Sequence, residues 1–229
     1  MSADDLRDLL LRWQAGWVTA RSYRSAMDGD TVTVDVGLAE RRTETLLLDA
    51  DPELYAAVAE SVAGPAQWLT APTTDRARTH AAAVDAGFTP HAPEWLMTRP
   101  LAGHPEPEVP AGYDTWLSGR PPLLVAEVVT DGDGPRALAA KGHLALSAAD
   151  AVADRIFTVP EHRRRGLGSI VMATLTTAAR ERGAVTGLLV ASEQGRLLYE
   201  RLGWRVVTEL TVADWSGHGS PASPADPLE

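Results

Sequence analysis

The segment from residue 151 to residue 183 constrains the fold of this chain more than any other. Residues 151–159 are mainly apolar and predict a strand that ends at Pro160, and apolar side chains then recur at helical spacing and predict a helix over 166–182. The turn between them reads Arg163-Arg164-Arg165-Gly166-Leu167-Gly168-Ser169. Glycines let a backbone approach a ligand closely, and the free N–H groups and dipole of a first helical turn favour an anion. The segment therefore predicts an anion site that suits a diphosphate.

The arginine-glycine turn has other interpretations. A run of arginines is often only a solvated basic turn. Gly166 and Gly168 begin the G-x-G-x-x-G pattern of dinucleotide-binding folds, but Val171 replaces the third small residue, and six residues separate the strand from Gly166. A phosphate-binding P-loop requires Gly-Lys-Ser/Thr, which the sequence lacks. Nucleic-acid binding by the arginines is disfavoured by the formal net charge of −10.

Composition excludes several kinds of chemistry. The chain has no cysteine, which excludes disulfides, cysteine ligands to zinc and a cysteinyl acyl intermediate. It has neither a signal-peptide pattern nor an apolar run long enough to cross a membrane, so we expect a cytoplasmic protein without a membrane partner. The acidic balance favours a small-molecule substrate over an acidic polymer and leaves the oligomeric state open.

The predicted elements divide the chain into two αβ halves. The first half is predicted to form helices over 4–22, 52–63 and 74–86 and strands over 31–36, 43–48, 67–70 and 94–101. The second half is predicted to form strands over 113–117, 123–129, 136–146, 151–159, 187–191 and 204–212 and helices over 166–182 and 195–202. Prolines cluster between the halves, and Gly, Ser and Pro dominate from Ser216 onward. We therefore predict modules over 1–100 and 111–213, a proline-rich linker over 101–110 and a disordered tail over 214–229.

The second half resembles the GNAT superfamily of acetyl-CoA-dependent N-acetyltransferases. The family signature Gln/Arg-x-x-Gly-x-Gly/Ala is matched by residues 163–168, which follow Val159-Pro160-Glu161-His162. A second match, Leu198-Tyr199-Glu200-Arg201-Leu202-Gly203-Trp204, comes about thirty residues after the helix starts, so the resemblance covers about residues 110–213. It implies an α/β (α+β) GNAT fold, in which helices flank a mixed, mostly antiparallel sheet.

The resemblance also implies roles for individual residues. The backbone of Ile156, Phe157 and Thr158 is expected to pair with the pantetheine arm of acetyl-CoA, as an added strand would. The turn is expected to hold the pyrophosphate through the backbone of Arg163, Arg164, Arg165, Gly166, Leu167, Gly168 and Ser169. Ser192 stands where the family often has an asparagine that binds the cofactor arm. Tyr199 matches the tyrosine that usually protonates the departing thiolate.

The general base and the acceptor are left open by the sequence. The strand before Ser192 offers no carboxylate where the family often has a glutamate, so the candidates are Glu127, His143, Asp154, Glu193 or a water relay. The predicted activity is acetyl transfer to an amine of an unidentified small molecule or peptide, without a metal and without nucleic acid. The alternative is a catalytically silent GNAT-like module that senses acyl-CoA or binds a partner.

The first half looks like a degenerate copy of the same fold. The segment Asp49-Ala50-Asp51-Pro52-Glu53 lies between its second strand and its helix, and it has no glycine and three carboxylates that would repel a diphosphate. Ala83 stands where the second half has Tyr199. We therefore expect residues 1–100 to bind no acetyl-CoA and to complete an acceptor pocket or a packing interface. The tryptophans that could line such a pocket are Trp13, Trp17, Trp68, Trp95 and Trp116.

Overall fold

The computed structural model describes residues 2–131 and 135–217. The helices of this part of the chain are α1 (Ala3–Arg21), α2 (Pro52–Val62), α3 (Arg76–Asp85), α4 (Leu167–Glu181) and α5 (Glu193–Arg201). Its strands are β1 (Arg24–Asp28), β2 (Thr31–Asp35), β3 (Thr43–Leu47), β4 (Gln67–Thr73), β5 (Phe88–Pro90), β6 (Glu94–Pro100), β7 (Tyr113–Arg120), β8 (Leu123–Thr130), β9 (Leu138–Ser147), β10 (Asp150–Thr158), β11 (Thr186–Ala191) and β12 (Arg205–Trp215).

The chain forms two compact units that are not contiguous in sequence. Among the described residues, unit 1 contains 2–11, 23–96 and 207–217, and unit 2 contains 12–22 and 97–206. The second half of α1 thus belongs to unit 2, and most of β12 belongs to unit 1, whereas the predicted modules were continuous stretches. Of the predicted tail, Asp214 and Trp215 end β12, and residues 218–229 lie outside the described residues.

Unit 2 contains a mixed sheet in the order β11-β10-β9-β8-β7, in which only the pair β10–β11 is parallel. Helix α4 lies on one face because its apolar side chains, such as Val171 and Leu175, join the core formed by alternate residues of β8 and β9. The second half of α1 lies on the opposite face of β10. Gly16 makes this approach possible, because a Cβ atom there would lie 2.1 Å from Cγ2 of the buried Val152.

Unit 1 has a sheet in the order β1-β2-β3-β4-β12, with β5 also paired to β12. The pair β3–β4 is parallel and the other pairs are antiparallel. Helices α2 and α3 contribute Tyr55, Ala59 and Ala83 to a core with Leu47 and Leu69. The order β2-β3-α2-β4-α3 repeats as β9-β10-α4-β11-α5 in unit 2.

The predicted α/β class with a mixed, mostly antiparallel sheet is confirmed, while two strands were missed. Strand β1 is exposed along its whole length, so its sequence carries no alternation of apolar and polar residues. Strand β5 has three residues, one of which is Pro90. Both strands form because a neighbouring strand offers backbone hydrogen bonds, and single-sequence patterns do not report that neighbour.

Candidate active site

A cleft opens in unit 2 where the parallel strands β10 and β11 separate. Their pairing covers only three positions, from Asp150–Thr186 to Val152–Leu188, although β10 continues to Thr158 and β11 to Ala191. A bulge between Asp154 and Phe157 bends β10 at this point, and Arg155 adopts a left-handed backbone there with φ of 52°. The edge of β10 that faces away from β9 therefore has no pairing with β11 beyond Val152.

The residues predicted to bind the pantetheine arm lie along this free edge, but the carbonyl group of one of them is already engaged. Phe157 and Thr158 pair with Lys141 and Ala140 of β9, so that their other backbone edge faces the cleft. The side chain of Ile156 packs against the core of unit 2. The carbonyl oxygen of Thr158 already accepts a hydrogen bond of 3.2 Å from Nε of Arg163. The backbone of Ile156 and Phe157 thus has more freedom to bind a ligand than the Thr158 carbonyl.

The arginine-glycine turn begins helix α4 without a side-chain cap. Gly166 is the N-cap residue and has a φ of 78°, a conformation that glycine adopts without strain. The amides of residues 164–168 have no hydrogen-bond acceptor within the described part of the chain, whereas those of Arg163, Ser169 and Ile170 bond to carbonyls of the turn itself. Five consecutive unpaired amides at a helix N-terminus form a site for a phosphate group. The residues present therefore fit the predicted diphosphate.

Gly168, whose amide is one of the five unpaired amides, lies where three elements meet. A Cβ atom at Gly168 would lie 3.1 Å from Cδ2 of Leu198 and 3.8 Å from Oγ1 of Thr158. The start of α4, the end of β10 and helix α5 thus meet at this glycine. A larger side chain would extend into the space between these three elements.

Helix α5 carries the other two predicted site residues. Oγ of the exposed Ser192 accepts a 3.3 Å hydrogen bond from the amide of Gly195 and caps the helix, so this oxygen is already engaged. Tyr199 is buried and lies with its ring centroid 6.1 Å from that of Trp204. Burial, and after it the negative charge of Asp154, raises the pKa of Tyr199 well above its ordinary value. Its hydroxyl has no hydrogen-bond partner among the described residues, yet its oxygen is not sealed from solvent.

Two of the four candidate bases are held by cations. Glu127 forms a 2.8 Å ion pair with Lys141 on the neighbouring strand β9. Asp154 accepts hydrogen bonds of 2.7 and 2.9 Å from Nε and Nη2 of Arg21. A carboxylate in a two-point contact with a guanidinium already uses both oxygens as acceptors. Asp154 is therefore poorly placed to accept a proton from a substrate, whereas Glu127 is held through one oxygen only.

The other two candidates are Glu193 and His143. Glu193 is exposed in the first turn of α5. His143 is half-buried and lies directly across from Asp154 in the β9–β10 register, so the two side chains share a face of the sheet. Its Nδ1 atom is enclosed without a hydrogen-bond partner in the described residues. Burial, and then the charges of Lys141, Arg155 and Arg21, lowers the pKa of His143 against the opposing effect of Asp154. A lowered pKa favours the neutral imidazole, which is the form of histidine that can accept a proton.

Arg21 is a site residue that the sequence did not indicate. It ends helix α1, whose second half runs along β10. Arg12 binds Asp150 through contacts of 2.6 and 2.9 Å, and Gly16 faces Val152. Arg21 in turn binds Asp154. The three β10 residues alternate along the strand and thus face α1 together. More than 130 residues separate the partners of each ion pair, so no local pattern could have indicated them.

The corresponding helix start in unit 1 has a different structure. Asp51 caps α2 by accepting a 2.9 Å hydrogen bond from the amide of Glu53, and Asp49 accepts one of the same length from the amide of Asp51. Strands β3 and β4 pair over four positions, from Thr43–Gln67 to Leu46–Thr70, which covers nearly all of β3. A carboxylate of the chain itself therefore occupies the place of a bound anion, and β3 ends one residue after its last pairing with β4, whereas β10 continues for six residues after its last pairing with β11.

The five tryptophans predicted to line an acceptor pocket differ in their burial. Trp13 and Trp17 are buried and stack at 5.5 Å between ring centroids, and Trp95 is buried as well. Trp116 is 52% exposed beside Arg136, and Trp68 stacks on His91 at 4.8 Å. Three of the five are thus core residues.

Within residues 2–131 and 135–217, no group of three or more His, Asp or Glu side chains is arranged to hold a metal ion. No helix in the same ranges is long and apolar enough to span a membrane.

Comparison with known proteins identifies the family of unit 2. Residues 124–206 match the family model described as acetyltransferase (GNAT) domain. A 71-residue stretch is 42% identical to an uncharacterized N-acetyltransferase of Streptomyces griseus, and it covers 30% of this chain and 17% of that protein. The match therefore spans a small part of the relative's length. The match of residues 124–206 to the GNAT domain model agrees with the resemblance seen in the sequence.

Solved structures show the same fold over most of the chain. A GCN5-related N-acetyltransferase from Kribbella flavida aligns with a TM-score of 0.67 at 18% identity, over 93% of this chain and 96% of that one. One from Sphaerobacter thermophilus aligns with a TM-score of 0.61 at 13% identity, over 86% and 80%. A tandem GNAT protein from the clavulanic acid biosynthesis pathway aligns with a TM-score of 0.53 at 14% identity, over 97% and 98%. At these identities the likeness establishes the GNAT fold and does not extend to substrates.

Proposed function

We propose that the chain, whose residues 124–206 match the GNAT domain model, is an N-acetyltransferase that moves an acetyl group from acetyl-CoA to an amine. The observation that carries this proposal is a combination within unit 2: strands that separate after Val152 and Leu188, and a helix that starts at Gly166 with unpaired amides. A free strand edge suits an extended amide-containing arm, and the unpaired amides suit a diphosphate. Both ends of coenzyme A thus have a matching feature.

The donor is proposed to bind along β10 and across the turn. The backbone of residues 156–158 and the amides of residues 164–168 make the main contacts, with Ser169 and Ser192 at the margins. Arg163 and Arg165 act indirectly, because their side chains bond to the backbone or side chains of unit 2 itself. Bound there, acetyl-CoA supplies a thioester carbonyl that an uncharged amine attacks directly, so no enzyme nucleophile is required.

Tyr199 is proposed to donate the proton that the departing thiolate needs. Its raised pKa keeps the phenol protonated at neutral pH, and its hydroxyl is not used in another hydrogen bond of the described residues. A general acid must hold its proton before it donates it, and a hydroxyl without another partner is available to do so. The negative charge of Asp154 contributes to this state of Tyr199.

His143 is proposed to accept the proton from the amine, directly or through one water. Among the four candidates, it is the only one that combines partial burial with a pKa shifted toward the neutral form, and Nε2 is the ring nitrogen proposed to accept the proton because Nδ1 is enclosed. Asp154, held by Arg21, acts as a fixed negative charge beside it. An environment that keeps Tyr199 protonated and His143 unprotonated separates the acid and base roles, as general acid–base catalysis requires.

Residues 1–100 are proposed to be a degenerate GNAT-like module without a donor site. The self-capped start of α2 and the nearly complete pairing of β3 with β4 support this proposal. Ala83, which is fully buried in the core of unit 1, offers no proton donor where unit 2 has Tyr199.

The test is thiol release from acetyl-CoA over a panel of aliphatic, aromatic, aminosugar and peptide amines, combined with calorimetry of coenzyme A binding. We expect binding, turnover with at least one amine class, and a loss of about 10²–10⁴-fold in turnover for His143→Gln. His91→Gln is the matched control, because His91 stacks on Trp68 in unit 1. Binding without turnover on any amine would favour a silent acyl-CoA sensor, and absence of binding would refute both functions.

A further inference from the structure

We propose that Tyr113 and His162 are positioning residues that hold Arg165 and thereby preset the amides of residues 164–168 for a phosphate-bearing cosubstrate. The inference rests on the proposed function and adds residues outside the glycine signature. Tyr113 begins strand β7, about fifty residues before the turn in sequence, and has no place in the signature itself.

The geometry is a three-member chain of hydrogen bonds. Nη1 of Arg165 lies 2.9 Å from the hydroxyl of Tyr113, and that hydroxyl lies 2.9 Å from Nδ1 of His162. The rings of Tyr113 and His162 meet edge to face, with centroids 5.7 Å apart and planes at 84°. His162 precedes the unpaired amides and Arg165 stands among them, so Tyr113 binds the turn at two points.

The chemistry of the groups fixes the direction of one bond, and the tautomer of His162 decides the other. A guanidinium has donors and no acceptor, so Arg165 donates and the Tyr113 oxygen accepts. We infer that the hydroxyl proton of Tyr113 is donated to Nδ1 of His162, so that the ring hydrogen of the neutral imidazole lies on Nε2. An Nδ1–H imidazole would instead donate to the Tyr113 oxygen and leave the hydroxyl proton free to point elsewhere.

Other contacts of the turn agree with a preset conformation. Arg163 donates to the carbonyl of Thr158, and its amide donates to the carbonyl of Pro160 at 3.2 Å. Tyr113 also belongs to the same buried core as Leu167, the first residue of α4. The side chain of Arg164 alone, among the three arginines, has no partner in the described residues, and its φ is 60°. Two arginines therefore hold the turn, and the third is left to meet a ligand.

A turn that is already ordered binds its ligand more tightly, because less conformational entropy is lost on binding. Removal of the Tyr113 hydroxyl should therefore weaken phosphate binding and leave the chemical step largely unchanged. A hydroxyl that served only the stability of the core would alter the unfolding midpoint without altering this balance. A loss of phosphate affinity without a loss of kcat thus indicates a positioning role. A lower unfolding midpoint without a loss of affinity indicates a structural role.

The experiment compares Tyr113→Phe with wild type in three measurements on the full chain. Calorimetry gives the affinities for coenzyme A and for inorganic pyrophosphate, and we expect both to fall by about 5- to 30-fold. Steady-state kinetics should show the same rise in KM for acetyl-CoA with kcat within about twofold. Nitrogen NMR of the imidazole should find the Nε2–H form of His162 in wild type.

Two variants serve as controls. Tyr55→Phe also removes a buried tyrosine hydroxyl, but that of Tyr55 has no partner, so affinity should not change. His162→Asn retains an acceptor near the position of Nδ1 and should bind coenzyme A better than His162→Leu.

Failure of this inference is distinguishable from failure of the proposed function. Wild-type affinity in folded Tyr113→Phe, or an Nδ1–H form of His162 in wild type, would overturn the positioning role alone. A wild-type protein that binds neither coenzyme A nor pyrophosphate would overturn the proposed function, and the positioning role with it.

Discussion

Replacement of Gly168 by alanine should separate stability from donor binding. Gly168 is the second residue of α4, and a Cβ atom there would lie 3.1 Å from Cδ2 of Leu198. That contact is tight, but it involves the tip of a partly exposed, flexible side chain, which can rotate by a few tenths of an ångström. Its cost of about 1 kcal/mol is comparable to the gain of about 0.5–1 kcal/mol from replacing a helical glycine by alanine. The free energy of unfolding should therefore change by about 1 kcal/mol or less.

Donor binding should change far more. We expect the added methyl group, which would point toward Leu198 and Thr158 beside the unpaired amides, to hinder the approach of a diphosphate. A hydrogen bond to a charged group contributes about 1.5–3 kcal/mol, so loss of two such bonds costs about 3–6 kcal/mol. Since 1.4 kcal/mol corresponds to a factor of ten, the affinity for coenzyme A should fall by about two to four orders of magnitude.

The assay is calorimetric titration with coenzyme A in parallel with urea unfolding. Gly64→Ala is the matched control, because its nearest neighbour would be Cγ of Gln67 at an ordinary 3.8 Å and it lies in unit 1. A folded Gly168→Ala protein that binds coenzyme A as wild type does would refute the placement of the diphosphate at this turn.

Four further expectations follow from the structure. Tyr199→Phe should lower turnover by about 10²–10⁴-fold with little change in acetyl-CoA affinity, and near-normal turnover would show that Tyr199 is structural. Gly16→Ala should destabilise the chain by about 1–3 kcal/mol in urea unfolding, although helix propensity alone predicts stabilisation, because its Cβ would overlap Val152. Calorimetry should find one coenzyme A per chain, because Asp51 caps α2 where a second diphosphate would bind. A stoichiometry of two would contradict the expectation that unit 1 has no donor site. The free energy of unfolding should decrease as pH falls below about 6.5, because the unfolded chain then binds protons that the folded chain excludes. A free energy of unfolding that stays constant over this pH range would contradict the expectation. This last expectation rests on three histidines whose pKa burial lowers: His80, His104 and His143.

The two helix starts differ although the order of elements around them is the same. Gly166 leaves the first turn of α4 open, whereas Asp51 satisfies that of α2 from within. The difference is a few residues in a turn, and it leaves the strand–helix–strand arrangement intact. A degenerate copy, as proposed for residues 1–100, could therefore keep its fold without a ligand.

The sequence alone was sufficient for the elements that rest on local chemistry. The strand before Pro160, the helix that follows Gly166 and the glycine between them are encoded within about thirty residues, since helical period, proline and glycine act on their own neighbours. The structure adds that Arg164 and Gly166 both adopt positive φ, which agrees with a turn that exposes its amides.

The tertiary structure decided the groups that long-range contacts bring together. Arg21 reaches Asp154, and Tyr113 reaches Arg165, only because helix α1 and strand β7 pack beside β10 and α4 after the chain has folded. The contact with Arg21 also engages the carboxylate of Asp154, and folding encloses Nδ1 of His143 and lowers its pKa, which is why we propose His143 among the four candidate bases. Ion pairing and desolvation depend on distance in space, and a chain of residue types does not specify those distances until it is folded.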